Sequence, residues 1–252
     1  MIALPLPFLT FVLAVVAGVL VSRQDFGAAQ ARFFFVAFFV VIAAASLLVG
    51  LRFGYGYDRL MTVQRALPLF IGPCLYLGFA NLATSEDNTR RLATLHLGAA
   101  LALAMLPAFL PDAAFGADWL IGASYLCYAI LLLGVWRRGP NHLIRARLET
   151  AGQFTRWAAC GSGFLLVILV FDTVIAISFA RDQGGAAIAL ISYGATLMTA
   201  LLLLVIFTLA TQRVSRRIPA MADPAPTRDT QAIVDAAQTL GKRWLRTVRV
   251  SA

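Results

Sequence analysis

Apolar residues in this chain gather into long unbroken runs, without the strict alternation of a half-buried strand or the narrow stripe of a soluble amphipathic helix. A helix needs about 20 apolar residues to cross roughly 30 Å of hydrocarbon. Seven stretches meet that length: residues 3–22, 33–51, 66–84, 92–111, 117–136, 157–180 and 186–211. Short polar connections separate them. Backbone amides in lipid find no water, so each run must bond to itself as a helix. A β-barrel would alternate in segments of about ten residues and does not fit. The pattern therefore predicts an all-α, polytopic transmembrane bundle of about seven spans over residues 1–211. It is followed by a basic, proline-containing linker at 212–228 and a short amphipathic basic helix at 229–252.

Composition strengthens this picture. The 252 residues are 60% hydrophobic and only 13% charged, with a mean hydropathy of +0.82. A soluble domain carries about 25% charged residues. The net charge of +9 would suggest nucleic acid in another setting, but cytoplasmic loops of membrane proteins collect Lys and Arg. With the N-terminus outside and the C-terminus inside, the inner segments hold Arg23, Arg32, Arg90, Arg91, Arg137, Arg138, Arg145, Arg147, Arg156 and the basic tail. Only Arg52, Arg59, Arg65 and Arg181 fall outside. The first run has no basic residue before it and exceeds the 7–15 residues usual for a signal-peptide core, so it reads as a retained span. Trp136 and Trp157 bracket the fifth connection and Trp119 marks the outer interface, as indoles at membrane surfaces do. Lys242 is the only lysine. That Arg, Ala and Gly bias points to a GC-rich bacterial genome and an inner membrane. Cys74, Cys127 and Cys160 each lie in an apolar run and read as small buried hydrophobes.

Polar groups inside spans are costly and mark candidate sites. Asp172 lies fifteen residues past Trp157, about 22 Å deep at 1.5 Å per residue. Arg52 ends the second span on the same side and reaches inward along its stem. Two readings stay open: Asp172 pairs with Arg52 or shares an outward polar cavity with it, or Asp172 is protonated or hydroxyl-bonded and fixes helix packing. Asn81 and His96 flank the third inner connection. Pro73 follows Gly72 in mid-span and predicts a bent third helix. The Gly-Tyr-Gly-Tyr at 54–57 predicts an interfacial turn. Arg137, Arg138, Arg145, Arg147, Lys242, Arg243 and Arg246 form the expected cytoplasmic basic surface.

No HExxH, GxSxG, Walker lysine or metal-spaced His/Cys set occurs, and no lysine lies in a span to hold a retinal. The expectation is a non-enzymatic protein without cofactors or metal. In the tail, Ile233, Ala237, Leu240, Trp244 and Val248 share one helical face with Lys242, Arg243 and Arg246 beside them. That face suits anionic lipid or a partner protein, including another copy of the chain.

Several segments carry a family resemblance: Ser46-Leu-Leu-Val-Gly-Leu-Arg-Phe-Gly-Tyr-Gly56, Leu95-His96-Leu97 with Leu106-Pro107, and Arg138-Gly-Pro140 with Arg145-Ala-Arg-Leu148. Phe171-Asp172 with Ile177-Ser178-Phe179-Ala180 and Asp229-Thr-Gln-Ala-Ile233 complete the set. In this order they resemble the seven-helix sensor half of membrane-bound AraC-type transcriptional regulators. The resemblance implies a bundle that senses a stimulus and passes it through its last helix to helix-turn-helix motifs. No recognition helix follows Gly241, so direct DNA binding by this chain is not expected, and the output falls to an effector or partner. The alternative is a small transporter with Asp172 as its coupling site.

Overall fold

The computed structural model describes residues 6–109, 116–146, 148–182 and 187–217, and every regular element among them is helical. The helices are α1 (Leu6–Ser22), α2 (Ala29–Tyr55), α3 (Met61–Ala66), α4 (Pro68–Ala83), α5 (Glu86–Phe109), α6 (Gly116–Arg138), α7 (Leu148–Asp182) and α8 (Ala187–Arg217). A 3₁₀ turn at Pro140–His142 lies between α6 and α7. Four of the helices contain stretches long and apolar enough to cross a membrane: Ala29–Tyr55, Asp118–Arg138, Thr150–Ser178 and Ala189–Thr211. They suggest a membrane protein. The described parts of α1 and α4 are apolar but shorter, at 17 and 16 residues.

The chain forms two compact units, Met1–Leu209 and Ala210–Ala252. Of the second, only the helical backbone from Ala210 to Arg217 is described. That helix continues six residues past the expected end at 211, into the stretch read as linker. The rest of the linker and the amphipathic helix at 229–252, with Lys242, Arg243 and Arg246, lie outside the described residues, as does Arg147.

Within the first unit, α4 is the core helix. Leu69, Ile71 to Leu75 and Leu77 to Leu82 are all buried, as a helix apolar around its whole circumference requires. It packs against α2, α5 and α6, while α1 packs on α2 and α7 on α6. Two glycines permit the close contacts. A Cβ on Gly78 would come within 2.5 Å of the Phe35 ring of α2, and one on Gly72 within 2.6 Å of the Tyr128 ring of α6. Pro68 opens α4 at its first position, where its missing N–H costs nothing. Helix α4 runs through Pro73, whose ring is fully buried.

Phe26, in the α1–α2 connection, stacks on Phe35 at 5.0 Å and on Phe154 of α7 at 5.5 Å; Phe35 meets Phe79 edge-on at 4.9 Å. This cluster ties one end of the bundle together. At the other end of α2, Gly56 adopts φ 68° and stops the helix, and the N–H groups of Gly56 and Tyr57 return to the Arg52 and Leu51 carbonyls. The expected turn at 54–57 thus begins at Gly56, because Gly54 and Tyr55 still belong to the helix.

Candidate functional site

Two buried tyrosines, Tyr125 and Tyr128, lie on α6, and polar residues of α5 and α7 approach it. Antiparallel packing sets their heights. Ser162 of α7 donates to the Ala129 carbonyl of α6 at 2.8 Å. Seven residues back along α6 and forward along α7, Gly122 faces Leu169, and a Cβ on Gly122 would stand a tight 3.2 Å from the Leu169 Cδ1. Continuing that register by about one more turn levels Asp118 with Asp172. The two carboxylates lie within electrostatic reach of each other, and Tyr125, 1% exposed, lies within reach of Asp172. The neighbouring hydroxyl of Thr173 donates to the Leu169 carbonyl at 2.7 Å. Asp172 itself is half-buried.

Arg52 does not join this pair. Its Nε donates to Asp58 Oδ1 at 3.1 Å, in an ion pair just past the end of α2, and its guanidinium also lies 5.1 Å from the Phe53 ring centroid. Of the readings left open for Asp172, the direct pair with Arg52 is not formed, since Arg52 is taken by Asp58. An acid six residues along the chain reaches Arg52 without leaving the surface, whereas pairing with Asp172 would require both charges to be desolvated.

One turn along α6 from Tyr125, Tyr128 bonds His96 of α5, with Nδ1 to the hydroxyl at 3.0 Å. Tyr76 of α4 closes the group: its ring centroid lies 5.0 Å from His96 and 5.9 Å from Tyr128. Three helices thus meet at two tyrosines and a histidine. Gly72 makes this possible, since any side chain there would occupy the place of the Tyr128 ring. His96 was singled out from the sequence; Tyr76, Tyr125 and Tyr128 were not. Their only sequence signal is that Tyr125 and Tyr128 stand three apart, on one face of a helix.

Asn81 is fully buried near the end of α4. Its Nδ2 donates to the Leu77 carbonyl at 2.8 Å, while its Oδ1 has no partner among the described residues. The Arg145 backbone N–H bonds the Leu82 carbonyl at 2.9 Å, fastening the segment after the 3₁₀ turn to the end of α4. Arg145 was expected on a basic surface, but its Nη1 is buried. Arg137 and Arg138 are exposed, and Arg138 Nη1 lies 3.3 Å from His142 Nε2. Cys74 is buried, whereas Cys127 and Cys160 face outward, contrary to the reading of all three as interior.

Among the described residues, no group of His, Cys, Asp and Glu is placed to hold a metal ion. No family model, curated protein or solved structure matches the chain.

Proposed function

We propose that this chain is a seven-span protein of a bacterial inner membrane, N-terminus outside and C-terminus inside. It acts as a non-enzymatic sensory module that passes a stimulus to a cytoplasmic effector or partner. The observation that carries this reading is the convergence of polar contacts on α6. His96 of α5 bonds its Tyr128, and Ser162 of α7 donates to its Ala129 carbonyl, with Asp172 of α7 within electrostatic reach of its Asp118. Helix α6 ends in exposed Arg137 and Arg138. A stimulus that alters either contact would bias α6 between two positions, and a rigid helix would carry the shift to its basic end. Four helices are long and apolar enough to span, and α1, α4 and α5 overlap the other three apolar stretches, which supports the span count. The resemblance to the sensor half of AraC-type regulators supports a transcriptional output through a partner. The basic tail suits anionic inner-leaflet lipid.

The test is transcriptional. Transcript sets are compared between a deletion strain and strains complemented with wild type, Asp172→Asn or Tyr128→Phe, at matched membrane levels. Deletion is expected to change a small set of transcripts, with the variants failing to restore it. Unchanged transcripts throughout would sink the sensor reading. The second reading, a transporter coupled through Asp172, is favoured by the carboxylate of Asp118 at the same height. It expects a solute gradient that collapses in Asp172→Asn.

A further inference from the structure

Helices α1 and α2 pack closely, yet they leave between them a groove of about 390 Å³, within the size range of ligand pockets. It exists because the facing residues are small: Ala14 and Gly18 on α1, Ala43 and Ala44 on α2. Val15, Val19 and Val40 line it and stay exposed. The two helices run antiparallel in a register shown by Gly18 against Phe39 and Gly50 against Phe8. That register levels Ser22 with Val36 at one end of the groove and Phe11 with Leu47 at the other. From Phe11 to Ser22 the slot is therefore about 16 Å long at 1.5 Å per residue. That is close to one leaflet of a hydrocarbon core about 30 Å thick.

The Ser22 end opens onto charge. Arg32 stands one turn before Val36 and continues the α2 face that lines the groove, and Arg23 directly follows Ser22; both are exposed. Asp25 lies between them in sequence and accepts the Gly27 N–H at 3.0 Å. The local excess is one positive charge. An apolar slot one leaflet long, with guanidinium groups at its interfacial end, matches the division of a phospholipid into chain and phosphate.

We propose that the α1–α2 groove seats an acyl chain of an anionic phospholipid whose phosphate is held by Arg23 and Arg32. The proposal rests on the bilayer-spanning reading of α1 and α2 and adds a specific lipid to it. The full chain is reconstituted in nanodiscs of phosphatidylcholine and phosphatidylglycerol, and native mass spectrometry counts the lipids that stay bound. The wild type is expected to retain one phosphatidylglycerol in preference to phosphatidylcholine. Arg23→Gln and Arg32→Gln should each weaken that preference about fivefold, the factor one basic side chain provides at an anionic surface. Arg181→Gln, in the α7 end, should leave it unchanged. Ala44→Phe should fill the slot and abolish retention while circular dichroism remains helical. Equal retention of both lipids by the wild type, or undiminished retention in Ala44→Phe, overturns the lipid seat. So does a dimer cross-linked through Val40→Cys, since a second copy would then occupy the groove. A soluble chain overturns the membrane reading and the seat together, whereas a membrane-integral chain without lipid preference overturns the seat alone.

Discussion

Gly72 and Gly78 act through what they lack. A methyl group on Gly78 would overlap the Phe35 ring, and one on Gly72 the Tyr128 ring, at distances real Cβ atoms do not adopt. Both rings are themselves buried, so neither can swing into open space. Gly78→Ala and Gly72→Ala should therefore each destabilise the bundle by about 1–3 kcal/mol, the usual cost of overpacking a filled core. Gly98, in α5, has nothing within 4 Å of its missing Cβ. Gly98→Ala should be neutral or stabilising by up to about 1 kcal/mol, because alanine loses less backbone entropy in a helix. Thermal unfolding in detergent of the three variants checks the ranking; equal effects would show that packing at α4 is looser than described. At this scale the sequence was a poor guide. Gly72, Gly78 and Gly98 look alike in a chain of 19 glycines, and only the partner helix distinguishes them. Asp172 was legible because a carboxylate in an apolar run stands out. Tyr128 was not, because a tyrosine in such a run reads equally well as packing.

Between elements, the sheer length of the apolar runs made the helices legible, but their neighbours depended on contacts between distant segments. The six-residue α3 was missed, since a helix so short gives no periodic signal. So was the extent of α7, which starts at Leu148; its first two turns are polar and lie before the apolar run from which the span was read. Helix α8 shows what pattern cannot supply. In its first-unit part it packs sparsely, and its described buried tie is a hydrogen bond between the hydroxyls of Thr199 and Thr10 of α1, at 3.0 Å. Thr10 also has the Leu6 carbonyl within 3.5 Å, so losing Thr199 leaves it partly satisfied. A double-mutant cycle with Thr10→Val and Thr199→Val should return a coupling near 0.6 kcal/mol and below about 1.7, the range for interhelical hydrogen bonds in bilayers. The readout is unfolding in detergent or bicelles. Zero coupling would mean that α8 is held by apolar packing, at residues such as Met198, Leu202 and Ile206.

For the whole molecule, the distribution of arginine is the orientation signal behind the proposed arrangement, with one exception. The connection after α2 carries Arg52, Arg59 and Arg65 on what should be the outer side. Arg52 is paired there with Asp58 at 3.1 Å, but acidic residues weigh little in orientation. Orientation is set by basic residues close to span ends, and short loops count most. The segment between α6 and α7 is such a loop, with Arg137, Arg138 and Arg145 among few neutralising acids. The two connections should therefore lie on opposite faces. Alkaline phosphatase fused after Asp58 should be active in the periplasm, and fused after Asn141 inactive, with green fluorescent protein reversing both. Replacing Asp58 with Asn frees Arg52 and adds one net positive charge outside. It should change activity at neither junction, because acidic residues weigh little beside basic ones in orientation. Activity at both junctions would mean that an odd number of spans does not separate them, and the seven-span arrangement would have to be redrawn around α4 and α5.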